Sequence, residues 1–246
     1  MRYKATVSYD GSGYYGWQSQ NDKPSVQQKL NEAISRITNE TISITGSGRT
    51  DSRVHAYGQT FHFDTDKKFA DLASSINSQL PDDIHVIKVE EVSDDFHARY
   101  DVRWKHYDYL INNGPYDPLK RNYCVHEQEK LDTELMKKAG DVFLGEHDFT
   151  SFNATKKQEI ANQTRTIYNV SVASEGDMIR ISFYGSGFLR YMVRMLAQTM
   201  IEAGKGKISP DEIREMLDKK DKEACHYNGQ PQGLYLMEVG YQDYHK

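Results

Sequence analysis

The sequence predicts an α+β protein made of two related halves, each in the split βαβ order of ferredoxin-like and RNA-recognition domains. Three observations predict it. Strand-like runs recur along the whole chain, at Arg2 to Tyr9, Tyr57 to Thr65, Ile84 to Val92, Trp104 to Ile111 and Leu234 to Tyr241. Apolar residues at helical spacing separate them. The order strand, helix, strand, strand, helix, strand is complete by Tyr100 and then returns. The expected organisation is an N-terminal half over residues 1–100 and a C-terminal half over 101–246. Their sheets are expected to join as one mixed, mainly antiparallel sheet, with a central cleft as the natural site.

Taken in order, Arg2 to Tyr9 alternates polar and apolar residues and ends at the turn Asp10-Gly11-Ser12-Gly13. Tyr14-Tyr15-Gly16-Trp17 then sets aromatics beside a flexible glycine. Ser25 with Gln28 three residues on reads as a capping box, and Val26, Leu30, Ala33, Ile34 and Ile37 make one apolar helical stripe. A strand from Thr41 to Gly46 and another from Tyr57 to Thr65 flank a polar loop. A helix is predicted from Phe69 to about Gln79, closed by Pro81, before the strand Ile84 to Val92.

The second half opens with Trp104 to Ile111, in which period two puts Lys105, Tyr107, Tyr109 and Ile111 on one face. Asn112 to Lys130, with Pro115 and Pro118, has no counterpart in the first half and reads as a lid, a substrate arm or a plain insertion. A helix is predicted from Leu135 to Gly145. A hairpin joins Thr166 to Ala173 and Met178 to Tyr184 across Glu175-Gly176, and an apolar helix runs from Phe188 to Ala203. Ser209-Pro210-Asp211-Glu212 opens another helix with a capping box and an N1 proline.

The 246 residues carry a net charge of -5, with a pI near 6.0 and a mean hydropathy of -0.77. No long apolar run and no signal-like start are present, so a cytoplasmic location is expected and a membrane role is not. Two cysteines, Cys124 and Cys225, have no paired spacing, which argues against a disulfide framework and a zinc site. An acidic balance argues against indiscriminate nucleic-acid coating. Nucleic-acid binding then requires basic residues gathered locally, and Lys67-Lys68, Arg103 to His106, Lys120-Arg121, Lys156-Lys157, Arg190 with Arg194, and Lys205 with Lys207 are the candidate clusters.

Chemistry is concentrated in Ser47 to Ala56, SGRTDSRVHA. Arg49 and Asp51 are two residues apart, so in an extended loop their side chains leave on the same side. A carboxylate near basic groups stays ionised and can act as a nucleophile, although an isolated loop Asp is more often a turn cap. The run Gly48-Arg49-Thr50-Asp51 followed by Val54-His55-Ala56 resembles the signature loop of the tRNA pseudouridine synthase A family, seven of nine positions agreeing with GRTDAGVHA. Ser52 replaces another small residue. Arg53 stands where the family has glycine, and a side chain there costs on the order of 1 kcal/mol if the position needs a positive φ.

The resemblance continues along the chain. Tyr107 in Tyr-x-Tyr matches the family tyrosine that packs on the target base. Gly187-Phe188-Leu189 through Met192-Val193-Arg194 matches the segment whose arginine pairs with the catalytic Asp, and Gly233-Leu234-Tyr235-Leu236 matches the closing motif whose leucine walls the base. Phe96, His97 and Arg99 lie in another family-like segment and are assigned to substrate contact, against the plainer reading of His97 as bonded to backbone. Arg190 and Arg194, one turn apart on the predicted helix, would repel slightly and welcome an anion.

The resemblance implies the pseudouridine synthase fold and isomerisation of uridine to pseudouridine in the anticodon arm of tRNA, with Asp51 as the catalytic residue. It also implies a homodimer. Breaking N1–C1′ and rejoining through C5 changes no oxidation state, so neither a cofactor nor a metal is expected. Two other classes remain. A noncatalytic RNA-binding protein of two recognition-motif halves predicts an Arg/Lys-Gly-Phe-Gly-Phe run, which the sequence lacks. A two-carboxylate hydrolase needs a second acid beside Asp51, for which Asp10 and Asp148 are available.

Overall fold

In the computed structural model, which describes residues 1–20 and 22–245, the α+β chain forms two compact units. One is Met1–Arg103 together with the residues from Tyr235 onward, and the other is Trp104–Leu234.

The first unit is a mixed sheet. Strand β1 (Arg2–Tyr9) lies antiparallel between β3 (His55–Asp64) and β4 (Ile84–Val92), and the two-residue β2 (Thr45–Gly46) pairs with β3. Its other neighbour on β3 comes from the far end of the chain. Strand β10 (Leu234–Gly240) runs parallel to β3, Tyr235 opposite His55 and Leu236 opposite Ala56. Gly58 admits this approach, since a Cβ there would stand 2.4 Å from the Met237 carbonyl oxygen. Alternate residues Ala5, Val7, Tyr9, Phe61, Phe63 and Val86 are buried, as one covered sheet face requires.

Helix α1 (Val26–Thr38) buries Val26, Leu30, Ala33 and Ile34, while Ile37 is only half-buried. Its predicted capping box is half formed. The Ser25 hydroxyl accepts from Gln28 N at 3.3 Å, but the Gln28 amide donates to Glu32 at 2.9 Å instead of returning to Ser25. Helix α2 is Leu72–Asn77, shorter than predicted, because Asp71 caps it by accepting from Ser74 N at 3.0 Å. The predicted strand from Thr41 shrinks to β2, although Ile42 and Ile44 keep their buried alternation.

The strands of the second unit are β5 (Trp104–Asn112), β6 (Val125–His126), β7 (Gly145–Asp148), β8 (Thr164–Glu175) and β9 (Met178–Gly185). Strand β9 lies antiparallel between β5 and β8, β8 also pairs with β7, and β6 runs parallel to β5. The segment after β5 is therefore not a structureless insertion. It holds β6 and is pinned by Asn113, whose amide donates to the Glu127 and Glu129 carbonyls at 2.9 and 2.8 Å. Glu175 faces Met178, so the hairpin turn is Gly176-Asp177, one residue later than predicted.

Helix α3 (Thr133–Asp141) starts where Asp132 accepts from Glu134 N and Leu135 N, and its predicted end at Gly145 belongs instead to β7. Helix α4 is Met192–Gly204, four residues later at its start than Phe188, because Tyr191 adopts a left-handed conformation with φ 63°. Arg190 consequently precedes the helix. Helix α5 (Pro210–Lys219) carries the predicted capping box with both arms present.

Candidate active site

Asp51 sits on the loop between β2 and β3, and the first unit fixes that loop by its backbone. At its start, Ser47 N donates to Thr60 O at 2.7 Å, the Ser47 hydroxyl to Gln59 Oε1 at 2.6 Å, and the Gln59 amide to Gly48 O at 3.2 Å. Thr50 is held twice. Its hydroxyl bonds the Tyr9 hydroxyl at 2.8 Å, and its carbonyl accepts from Trp17 N at 3.1 Å. Burial pushes the Tyr9 phenol well above its usual range, against the pull of its bonds to Thr50 and Gln59, so this support stays neutral.

Beyond Asp51 the chain turns. Val54 N donates to Asp51 O at 3.2 Å, and Arg53, the third residue of that turn, has φ 65°. Glycine or asparagine is usual in that conformation, so the substitution noted in the sequence does fall on a strained position. A strap from residues 14–17 holds it there. Arg53 N and the Ser52 hydroxyl both donate to Tyr14 O, at 3.2 and 3.3 Å. The strap lies so close that a Cβ on Gly16, itself at φ 93°, would stand 2.6 Å from Thr50 O. Gly11 is as tightly placed, 2.0 Å from Val54 O by the same measure.

The result is a half-buried Asp51 on a backbone hydrogen-bonded on both sides of it, with Arg49 exposed two residues before it. Arg49 makes no hydrogen bond or ion pair with any described residue. It is an open cation on the signature loop.

The carboxylates weighed as a second acid both serve turns. Asp10 accepts from Ser12 N at 2.9 Å and caps a short 3-10 turn, and Asp148 accepts from Thr150 N at 2.9 Å and from its hydroxyl at 2.6 Å. Asp10 also lies 3.2 Å from His55 Nδ1, so each carboxylate is already engaged by its own neighbourhood, which weakens the sequence motive for a two-carboxylate hydrolase.

Phe96, His97 and Arg99 lie on a compact turn after β4. His97 N donates to Asp101 at 2.7 Å, and His97 Nδ1 accepts from Arg99 N and Tyr100 N at 3.1 and 3.2 Å. The imidazole thus ties up its own turn. Phe96 packs against Tyr241 at 5.0 Å between centroids, while Arg99 is exposed.

In the second unit, β5 carries Tyr107, 7% exposed, with Phe188 edge-on to it at 5.3 Å. Arg194 belongs to the first turn of α4. Its Nε donates to Gly229 O at 2.7 Å, and Gly229 N donates back to Arg194 O at 3.1 Å. Gly229 has no room for a Cβ, which would stand 2.5 Å from the Tyr109 hydroxyl, and Tyr109 in turn donates to Gln230 O at 2.9 Å. Leu234 is buried and follows the 3-10 turn Pro231–Gly233.

Tyr191 is a member of this group that the sequence reading missed. The Arg190 and Arg194 guanidinium carbons lie 4.8 and 4.6 Å from its ring centroid, so both cations stack on one aromatic ring. No local signal marks a tyrosine for a left-handed conformation. Gly11 and Gly16 were visible in sequence as a turn and a flexible point, but not as the clasp on the Asp51 loop.

Among the described residues, no group of three or more His, Cys, Asp or Glu side chains is arranged to hold a metal, and no helix is long and apolar enough to cross a membrane.

Comparison with known proteins bears on the same residues. A family profile described as tRNA pseudouridine synthase matches residues 5–101 and 139–242. Asp51 and Arg194 fall inside these stretches, and Tyr107 falls between them. A protein named tRNA pseudouridine synthase A from an Exiguobacterium species is 42% identical over 243 residues, covering 98% of each chain. One of the same name from Listeria monocytogenes is 42% identical over 250 residues, covering 98% of this chain and 99% of its own. A third, from a Thermoanaerobacter species, is 40% identical over 238 residues, covering 96% and 97%.

Proposed function

The chain belongs to the tRNA pseudouridine synthase family and is an isomerase that converts uridine in tRNA to pseudouridine, and from that premise we propose that Asp51 is its catalytic residue. The reaction breaks the N1–C1′ bond and forms C5–C1′, so the C5 proton leaves and N1 gains one. No electrons are gained or lost overall. A carboxylate oxygen held at one place can open this sequence by acting on the sugar or the uracil, provided the nucleotide is drawn out of its stack.

The observation that carries the proposal is the clasped loop. A half-buried Asp51 hangs on a backbone bonded at Ser47, Thr50, Arg53 and Val54, and such preorganisation lets a side chain meet a reacting atom without first being ordered. Arg49, open beside it, is the phosphate or sugar contact. The other assignments extend the same proposal: Tyr107 as the flat surface for the extruded uracil, Arg194 as the cation of the reaction, Leu234 as its apolar wall. Arg99 is the member of the 96–99 trio best placed to reach a phosphate, Phe96 and His97 contributing ring surface.

A tRNA transcript tritiated at uracil C5 tests this directly, because isomerisation releases the label. Asp51→Asn is expected to lower release by at least about a thousandfold while tRNA binding persists; undiminished release would falsify the role of Asp51. Wild-type protein that binds tRNA yet frees no label would favour the noncatalytic reading instead. The target is proposed to be the anticodon arm, the location cytoplasmic and the assembly a homodimer. Mapping pseudouridine in tRNA from a strain lacking the protein, and the particle mass in solution, check the first and the last.

A further inference from the structure

The second unit contains a concave pocket of about 610 Å³ to which the isomerisation assigns no role. Its size is that of a small-molecule site. One wall is the segment 153–158, the other is 222–228, and Tyr191 and Met195 of the α4 region form part of the lining.

The walls are built rather than incidental. Ala154 N donates to Arg190 O at 2.9 Å, and Arg190 N to the Thr155 hydroxyl at 3.0 Å, which ties the first wall to the start of α4. The two walls are joined by Lys222, whose ammonium donates to Asn153 O at 2.9 Å, Asn153 Oδ1 at 2.7 Å and Gln163 Oε1 at 2.9 Å. All three acceptors are neutral. Burial holds the Lys222 ammonium below its usual pKa, the charge of Asp148 opposing that shift and the charge of Lys157 adding to it.

Lys156 and Lys157, the exposed pair singled out in the sequence as a basic cluster, line the same pocket. None of these three ammonium groups forms an ion pair with a described carboxylate. In a chain of net charge -5, three ammonium groups around one hollow, opposed by the Asp148 carboxylate whose charge reaches Lys222 and Lys157, leave a local positive excess that favours an anion. Tyr227 and Asn228 complete the lining with a half-buried ring and an exposed amide, the pairing of stacking surface and hydrogen-bonding edge that unstacked RNA bases use.

We propose that this pocket binds a phosphate-bearing, unstacked loop nucleotide of the tRNA other than the uridine being isomerised, with Lys156 and Lys157 bonding its phosphodiester, Lys222 adding charge from the wall it braces, and Tyr227 against its base. The inference rests on the tRNA-directed activity stated above. Its mechanical sense lies in α4: Arg194 is in the first turn, while its neighbours Tyr191 and Met195 line the pocket. Seating a second nucleotide there holds the strand while the target is extruded, a step that otherwise loses stacking energy.

The test uses the full-length protein and an unmodified tRNA transcript, with the dissociation constant measured across a salt series. The Lys156→Gln/Lys157→Gln double variant is expected to weaken binding about tenfold near physiological salt and to make the salt dependence shallower by about one to two units of slope. Tyr227→Ala is expected to weaken binding about tenfold with the slope intact, since stacking releases no counterions. Lys137→Gln/Lys138→Gln, on the outer face of α3, is the control and should change neither.

Wild-type affinity and slope in the pocket double variant would overturn the proposal. So would an equal loss in the control, which would mean diffuse attraction rather than a pocket. Label release by the wild type reports separately on the isomerase reading, so a protein that binds without releasing label undoes that reading while the slopes still decide the pocket.

Discussion

Arg53 and Tyr191 share one backbone conformation, φ 65° and 63°, that side-chain-bearing residues seldom adopt. Each stands within three residues of a proposed site residue, Asp51 in one case and Arg194 in the other. They are held by different means. Arg53 is exposed, and its conformation is set by backbone, through the turn closed by Val54 N and the donation of Arg53 N to Tyr14 O. Tyr191 is half-buried, and two guanidiniums within 5 Å stack on its ring.

The difference locates where each site would break. Left-handed strain persists only where surrounding structure over-determines it. On the Asp51 loop the determining structure includes the 14–17 strap, so the glycine at 16 cannot be replaced without disturbing it. At the start of α4 the side chain is itself part of the structure.

Substitutions can therefore break or sharpen this contrast. The largest effect is expected from Gly16→Ala, which adds a Cβ 2.6 Å from Thr50 O at a residue with φ 93°. The strap must lift off the loop, at a cost of about 2–4 kcal/mol, read as a lower melting temperature and label release reduced by about a hundredfold or more. Near-normal release would mean that the strap does not position Asp51.

Tyr191→Leu comes next. It keeps an apolar side chain, though a smaller one, and loses the cation–π contacts, about 1–2 kcal/mol in all, so tRNA affinity should fall about tenfold with the melting temperature lowered by a few degrees. An unchanged variant would reduce the stacked ring to a bystander and erase the contrast with Arg53. The smallest effect is expected from Arg53→Gly. Glycine relieves the left-handed strain but adds freedom to the unfolded chain, leaving a net gain of about 0.5 kcal/mol and a melting temperature raised by about 1–2 °C. A clear loss of stability would show that the Arg53 side chain holds the turn after all.

Local signals carried far in this chain. Strands β1 and β4 run as the sequence predicted, Arg2–Tyr9 and Ile84–Val92, because alternation over eight or nine residues is a strong statement of which face is covered. Helix α5 begins where Ser209, Pro210 and Glu212 say it must, since capping is chemistry between residues three apart. Where a competing partner lay outside that range, the reading slipped. Gln28 found Glu32 instead of Ser25, and α4 lost its first four predicted residues to Tyr191.

What the sequence determined by itself was the α+β class, the loop bearing Asp51 and the residues around it that carry charge, because periodicity, turn chemistry and ionisable groups are all written within a few positions. Only the tertiary structure decided that Gly16 clasps that loop, that Tyr191 joins two arginines, that β10 returns to pair with β3, and that Lys222 closes a pocket with Lys156 and Lys157 on its rim. Apart from the Tyr191 stack, which is local but follows from a left-handed backbone that no sequence signal marks, each of those depends on segments tens of residues or more apart meeting in space, and packing of that kind is settled by the folded chain as a whole.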